Sequence, residues 1–140
     1  MATFDTFEDI EAWKKARILN QEIYKFTDLG SSARDFGLRD QIRRASISIM
    51  SNIAEGFERK GTGEFIQFLA IAKGSAGEVK SQLYAAQDQK HLEQQSFNRL
   101  FLLASEVGSM IGGLMNYLRR SKVKGTKYKN PKPETRNPKP

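Results

Sequence analysis

The chain has 140 residues, of which 39% are hydrophobic, and a formal net charge of +7. That length and apolar content suit one folded domain and exclude a chain that is disordered throughout. The sequence contains no cysteine, which excludes disulfides and thiolate chemistry and agrees with a cytoplasmic protein. No stretch is long and apolar enough to cross a membrane, and the first residues lack the layout of a signal peptide. We therefore expect no membrane partner.

Most of the positive charge lies near the carboxyl end of the sequence. From residue 119 onwards nine residues are basic and one is acidic, whereas residues 1–118 carry 14 basic and 15 acidic residues. A charge argument for nucleic-acid binding therefore applies first to this tail. The basic residues nearest to the predicted folded part are Arg119, Arg120, Lys122 and Lys124.

The first two predicted helices each have an apolar face. Residues 7–29 have apolar residues every three or four positions, with Asp5 or Thr6 as the expected cap and Gly30 after the end. Residues 37–57 carry two adjacent apolar lines, which together cover about half of the helix circumference. That width suits either a broad core or, as we prefer, contact with another subunit. The two lines are Leu38, Ile42, Ala45, Ile49 and Ile53, and Ile47, Met50 and Ala54.

The third predicted helix, residues 62–89, has a heptad pattern that indicates coiled-coil-like packing. Its opposite face contains Gly74 and Gly77. Because a glycine within a helix costs about 1 kcal/mol relative to alanine, this face suggests either the close approach of another backbone or a tolerated exposed surface. The apolar seam is Phe65, Leu69, Ala72, Ala76, Val79, Leu83 and Ala86.

The fourth predicted helix, residues 96–120, also has two adjacent apolar lines, one beginning at Leu100 and the other at Phe101. Two lines are more than one bundle core needs, which again favours a subunit contact. Because the connectors are short, neighbouring helices should be antiparallel. The sequence therefore predicts an all-α, up-and-down antiparallel four-helix bundle over residues 1–120.

Residues 121–140 form a separate basic tail in which the sequence Asn-Pro-Lys-Pro occurs twice. Alternating proline and lysine cannot bury a core, so we expect the tail to be disordered. It is either a flexible basic arm or sequence read through a repetitive DNA element without a selected role.

No pattern in the sequence indicates catalysis. His91 is the only histidine and falls in a predicted connector, whereas metal sites in helical bundles use several inward-facing ligands. There is no glycine-rich phosphate loop, and no serine has a plausible histidine base. We expect a protein that is not an enzyme and that has neither a metal nor another cofactor.

A polar stripe follows the second predicted helix within roughly an 80° arc. It mixes amide, guanidinium, hydroxyl and carboxylate groups, and two residues of the third helix are placed to meet it. We consider three interpretations: a hydrogen-bond ladder at a helix or subunit contact, a ligand groove, or an exposed face. The residues are Gln41, Arg44, Ser48, Asn52 and Glu55, together with Ser75 and Glu78.

Arginines and one lysine cluster at the two ends of the second helix. Guanidinium groups bind phosphate in a bidentate manner. Aromatic residues are not interleaved with these positions, so contact with the nucleic-acid backbone is favoured over base recognition. The candidate contacts are Arg39, Arg43, Arg44, Arg59 and Lys60.

Two sequence blocks resemble a known family. Residues 41–56 (QIRRASISIMSNIAEG) and 64–78 (EFIQFLAIAKGSAGE) are similar to the small bacterial four-helix bundle proteins that are encoded in 23S rRNA intervening sequences, the S23 ribosomal protein family. Met50 stands where this family is expected to carry proline, so the second helix should lack a proline kink. The resemblance implies a ring-like homopentamer. Accessory proteins of diversity-generating retroelements are similar in fold and pentameric, and they bind a reverse transcriptase and nucleic acid.

The leading hypothesis is an oligomeric, non-catalytic protein associated with RNA or DNA, which acts as a scaffold. The alternative is a protein–protein adaptor that uses the polar stripe and has no direct nucleic-acid role. A third hypothesis is a passenger of a selfish element that folds well and does little for its host.

Overall fold

The computed structural model describes residues 4–123, and of residues 122 and 123 the backbone alone. This part of the chain contains four α-helices and no strand, so the all-α prediction is confirmed. Two short 3₁₀ turns, Phe7–Asp9 and Gly30–Arg34, precede the first and second helices. The helices are α1 (Glu11–Thr27), α2 (Phe36–Glu58), α3 (Thr62–Asp88) and α4 (Gln94–Val123).

The four helices run alternately up and down. Between α1 and α4, Lys15 pairs with Glu106 and Glu22 pairs with Arg99, so numbers that rise along one helix fall along the other. Contacts between α1 and α2, α2 and α3, and α3 and α4 run in the same antiparallel sense. Since α4 also contacts α1, the helices form a closed bundle around one core.

The core follows the predicted apolar seams closely. All seven seam residues of α3 are at most 1% exposed, which confirms the heptad pattern. Ile42, Ile49 and Ile53 of α2 are fully buried, and Leu19 and Ile23 of α1 are buried against them. α2 runs without a break through Met50, as expected in the absence of proline.

The predicted start of α1 is wrong by about one turn. Residues 7–9 form a 3₁₀ turn, and Ile10 has an extended backbone (φ −77°, ψ 120°) that separates this turn from α1. Asp9 accepts hydrogen bonds from the backbone N–H groups of Asp5 and Thr6 at 3.0 and 3.2 Å. Neither Asp5 nor Thr6 therefore caps α1. The turn instead lets Phe7 pack edge-on against Trp13.

The two apolar lines of α4 do not require a second subunit. Ala104, Ile111 and Leu118 of the second line are completely buried within this chain, and half-buried residues of the first line pack against the same core. α4 has this width because it contacts both α1 and α3. In α2, Met50 packs against the core, whereas Ile47 is 42% exposed.

α4 continues to Val123, three residues beyond its predicted end. Ser121 and the two residues after it therefore belong to the helix and not to the predicted tail. The remainder of that tail, residues 124–140, lies outside the described part of the chain.

The close backbone approach occurs at a different glycine from the two predicted. A Cβ atom built at Gly74 or Gly77 would meet nothing within 4 Å in this chain. A Cβ atom at Gly56 would lie 2.6 Å from Cβ of Phe68 and 3.1 Å from a ring atom of Phe65. Gly56 is therefore the residue that lets α2 and α3 pack closely.

Candidate nucleic-acid interface

Arg43 is engaged within the chain. Its Nε donates a hydrogen bond to Thr27 Oγ1 at 2.8 Å, and one terminal nitrogen lies 2.8 Å from Asp28 Oδ1. The guanidinium carbon is 4.3 Å from the ring centre of Tyr24, and the side chain is only 19% exposed. Arg43 thus fastens α1 to α2 and leaves little of its guanidinium free for a phosphate.

The two neighbouring arginines differ from each other. Arg39 donates a hydrogen bond to the backbone oxygen of Ala33 at 3.1 Å, and its guanidinium carbon lies 4.8 Å from the ring centre of Phe36. It also pairs with Asp40 at 3.4 Å. Arg44 is exposed, and it makes no ion pair within residues 4–123. Of the three, Arg44 is the one available to a ligand.

At the other end of α2, Arg59 is held by acidic neighbours. Its terminal nitrogens lie 3.0 Å from Glu55 and 3.8 Å from Glu64, and its guanidinium carbon is 4.9 Å from the ring centre of Phe68. Lys60 follows it with a left-handed backbone (φ 68°) and an exposed side chain. Both residues are exposed, but Lys60 is the one that forms no ion pair within residues 4–123.

The predicted cationic residues do not form one patch. α2 and α4 run in the same direction, so the exposed residues Arg119 and Arg120 lie at the same end of the bundle as Lys60. Arg44 is about 22 Å from that end along α2, at a rise of about 1.5 Å per residue. The backbone of Lys122 belongs to α4, and the structure describes no more of this residue. Lys124 lies outside the described residues.

The polar stripe of α2 meets α3 at its centre. Ser48 Oγ lies 2.9 Å from Ser75 Oγ, and Asn52 Nδ2 donates to the backbone oxygen and the hydroxyl of Ser48 at 2.8 and 3.0 Å. Ser75 is buried, while Ser48 and Asn52 are half-buried. These three residues form a compact hydrogen-bond cluster rather than a ladder along the whole helix. The remaining stripe residues, Gln41, Arg44, Glu55 and Glu78, are exposed.

Sequence reasoning missed an aromatic cluster between α3 and α4. The ring centre of Tyr84 lies 5.0 Å from that of Phe97 and 5.5 Å from that of Phe101, and the two phenylalanine rings stack at 5.3 Å. Lys80 Nζ is 5.0 Å from the ring centre of Phe101. Tyr84 remains 52% exposed. The sequence did contain a signal for this cluster. Lys80 and Tyr84 are four residues apart on α3, and Phe97 and Phe101 are four residues apart on α4, so each pair lies on one face of its helix.

A second omission concerns the connector that contains His91. α3 ends in a Schellman motif: Lys90 has a left-handed backbone (φ 65°) and donates to the oxygen of Gln87 at 2.9 Å, and the N–H of His91 donates to that of Ala86 at 2.9 Å. This backbone turn directs the His91 side chain toward the start of α2, where it is only 9% exposed.

The prediction that no serine lies beside a histidine is wrong. His91 Nδ1 is 2.7 Å from Ser31 Oγ, and His91 Nε2 is 2.9 Å from Asp35 Oδ2. Asp35 also accepts a hydrogen bond from the N–H of Leu38 and so caps α2. The hydrogen bond with His91, followed by the one from Leu38, lowers the pKa of Asp35 below its usual value. The contact was invisible in the sequence because 60 residues separate Ser31 from His91.

Beside this trio is an open cleft of about 360 Å³ between α1 and α4. Charged residues on its wall pair with one another: Arg99 lies 2.7 Å and Lys25 3.6 Å from the carboxylate of Glu22. The hydrogen bond from Arg99 lowers the pKa of Glu22 below its ordinary value. The lining thus holds two cations, Arg99 and Lys25, and two carboxylates, Glu22 and Glu93, which makes the cleft a poor anion site.

Residues 4–123 contain neither a cluster of metal ligands nor a membrane-spanning helix. No three His, Asp or Glu side chains in this range lie close enough to bind one metal ion together. None of the described helices is sufficiently long and apolar to span a lipid bilayer.

The fold and its surfaces define an all-α antiparallel four-helix bundle with an aromatic cluster that leaves Tyr84 exposed. The model of the family described as 23S rRNA-intervening sequence protein matches residues 8–113. The chain therefore belongs to this family, and the resemblance seen in the sequence is confirmed.

A solved structure supports the fold. It is a protein of unknown function from the S23 ribosomal protein family of Bacteroides thetaiotaomicron, with a TM-score of 0.70 and 20% identity. The similarity covers 75% of this chain and 95% of that chain. At this identity it supports the fold alone. No functionally curated protein matches the sequence.

Proposed function

We propose that the protein is a non-catalytic, self-associating scaffold that binds nucleic acid. The observation that carries this proposal is the distribution of charge: a nearly neutral bundle is followed, from Arg119 onwards, by nine basic residues and one acidic residue. Such a segment binds phosphate backbones through counterion release and needs no base contacts. The family name, which refers to 23S rRNA intervening sequences, agrees with a role near RNA.

Only some of the predicted cationic contacts in the bundle are available to nucleic acid. Arg44, Lys60, Arg119 and Arg120 are exposed, and none of them forms an ion pair within the described range. Arg39, Arg43 and Arg59 hold the fold together through the contacts above and contribute little to binding. The body acts mainly as the platform that presents the tail.

Self-association is supported by apolar side chains on the outward sides of α2 and α3. Ile47 is 42% exposed and Ile71 is 53% exposed, and a Cβ atom at Gly74 would meet nothing within 4 Å. Exposed isoleucines and an open glycine position suit the approach of a helix from a second copy. The family resemblance favours five copies in a ring.

Light scattering and fluorescence anisotropy test the proposal together. The full chain and a variant that ends at Val123, which preserves all of α4, are measured with a short structured RNA over a series of salt concentrations. We expect the same discrete oligomer for both. The full chain should lose affinity steeply with salt, by roughly 0.7 to 0.9 log units per log unit of salt for each neutralised phosphate, and the shortened variant should bind weakly. A monomer that does not bind RNA would refute both self-association and nucleic-acid binding.

The proposal that the protein is not an enzyme needs its own test, because Ser31, His91 and Asp35 resemble a nucleophile–base–acid set. Here they join the connector before α2 to the connector after α3, and Asp35 also caps α2. We expect the full chain and Ser31→Ala to hydrolyse an activated ester such as p-nitrophenyl acetate at the same slow rate. A rate that disappears in Ser31→Ala would overturn this part.

A protein–protein adaptor is the second candidate function. Gln82 lies two turns from Ser75 on the same side of α3, and its Oε1 is buried without a hydrogen-bond partner in the described chain. Because Gln82 as a whole is only half-buried, rotation of its amide would bring this oxygen to the surface, where a polar partner helix would satisfy it. This function requires that Asn52→Leu abolish binding of a defined protein partner, while neither the full chain nor the variant binds RNA.

A further inference from the structure

We propose that the face between α3 and α4 binds single-stranded nucleic acid, with a base stacked on Tyr84. This inference rests on the proposed function and adds the class of ligand and a second contact surface. The α3–α4 face is defined by Ala70, Lys73, Gly77, Lys80 and Tyr84 on α3 and by Phe101, Ser105, Gly108, Gly112, Asn116 and Arg119 on α4.

Tyr84 is placed to act as a stacking platform. Its ring packs against Phe97 and Phe101 at 5.0 and 5.5 Å between ring centres, which fixes its position on the bundle. More than half of the residue nevertheless remains exposed. A ring held by two others is already ordered, so a base that stacks on it need not immobilise it first.

The charges on this face complement a phosphate backbone. Lys80 Nζ is 5.0 Å from the ring centre of Phe101, and the alkyl chain of Lys73 lies across Gly112, with Cε 3.2 Å from a Cβ atom built there. Neither lysine forms an ion pair among residues 4–123. Asp88, one turn beyond Tyr84 on the same side of α3, forms no ion pair in the described range. Both lysines therefore remain available to phosphates, unlike the cations of the cleft beside His91, which pair with Glu22.

The shape of the face suits an extended strand. A Cβ atom built at Gly77 would meet nothing within 4 Å, so a ligand backbone can approach α3 there, whereas one at Gly108 would lie 4.0 Å from Cβ of Ala76. From Phe101 to Arg119 the face extends for about 27 Å along α4. Bases in a duplex are stacked on each other and do not offer a face to Tyr84, whereas every unpaired base does.

Binding of matched probes by the full chain tests this inference. The probes are a labelled single strand of about ten nucleotides, long enough for the face, as RNA and as DNA, and the corresponding RNA duplex. The variants are Tyr84→Leu, Lys80→Gln and, as a control that removes a cation on α1, Arg17→Gln. Circular dichroism melting checks that each variant folds.

We expect Tyr84→Leu to weaken both single strands by about 5- to 100-fold and to leave the duplex unchanged. Lys80→Gln should reduce the salt slope for single strands by about 0.7, and Arg17→Gln should bind as the unmodified chain does. Stacking without base-specific hydrogen bonds predicts similar losses for RNA and DNA. A loss for RNA alone would overturn the stacking assignment.

Photo-crosslinking of the unmodified chain to a single strand that contains 5-iodouridine gives a readout that does not depend on the folding of a variant. A crosslink at Tyr84 supports the inference. Crosslinks confined to residues 124–140, or a folded Tyr84→Leu that binds single strands normally, would overturn it and leave the scaffold proposal intact. A Tyr84→Leu variant that loses self-association and keeps RNA binding would assign the face to a second copy. Absence of nucleic-acid binding by the full chain would overturn both proposals.

Discussion

Gly56→Ala should destabilise the bundle although alanine is the better helix former. The new Cβ atom would lie 2.6 Å from Cβ of Phe68, where ordinary contacts begin at 3.4 Å. Cβ of Phe68 is fixed to the backbone, so rotation of the ring cannot relieve the contact. α2 and α3 must separate locally by about 0.8 Å, the difference between those two distances.

Two opposing effects decide the size of the change. Replacing a helical glycine by alanine favours folding by about 1 kcal/mol, and overpacking a tight core costs about 1–3 kcal/mol. Because the clash involves a backbone-fixed atom, the upper part of that range applies. We expect the free energy of unfolding to fall by about 2 kcal/mol.

Gly113→Ala is the matched control, since a Cβ atom there would meet nothing within 4 Å and Gly113 lies outside the proposed contact surfaces. It should raise the free energy of unfolding by about 0.5–1 kcal/mol. Urea denaturation at equal protein concentrations measures both variants, which keeps any contribution from association constant. If Gly56→Ala stabilised the protein as much as Gly113→Ala, the close approach of α2 and α3 at Gly56 would be refuted.

Three further predictions concern polar and backbone contacts. Arg43→Met should lower the free energy of unfolding by about 2 kcal/mol because it removes charged hydrogen bonds, whereas Arg44→Met should change it by less than about 0.5 kcal/mol; equal effects in urea melts would contradict the assigned contacts. The lowered pKa of Glu22 means that its contribution to stability is present above its ordinary pKa of 4.5 and is lost as pH falls through the folded value. Arg99→Gln should raise the pKa of Glu22 toward 4.5 in an NMR titration, and an unchanged pKa would exclude Arg99 as the cause. Lys90→Gly should stabilise the fold by about 1 kcal/mol because it relieves a left-handed backbone, and a lower melting temperature would argue against that strain.

The sequence was most informative about the core. Every residue of the α3 seam is buried, because a heptad repeat reports directly which side of a helix faces its neighbours. The same reasoning failed at the start of α1. Apolar periodicity continues through Ile10, but the backbone there is extended. Side-chain spacing indicates which face is buried and carries little information about where the backbone leaves helical geometry.

The candidate site was less predictable because its residues have their partners on other helices. Arg43 and Arg44 are adjacent and chemically identical, yet one is fixed by Thr27 and Asp28 of the α1 end and the other is exposed. Only the register between α1 and α2 distinguishes them. The register between α3 and α4 likewise determines which rings contact Tyr84.

α3 presents the two proposed surfaces on different flanks. Ile71 lies on the flank toward α2, where the structure suits association with a second copy, and Tyr84 lies on the flank toward α4, where it suits a nucleic-acid strand. Occupation of one flank therefore leaves the other accessible. An oligomer built through the first flank would present one strand-binding face and one basic tail per copy. Linked sites of this kind raise avidity by about 10²- to 10⁴-fold without any new contact. A strand long enough to reach neighbouring copies should thus bind far more tightly than a short one, and equal affinities for the two lengths would contradict this arrangement.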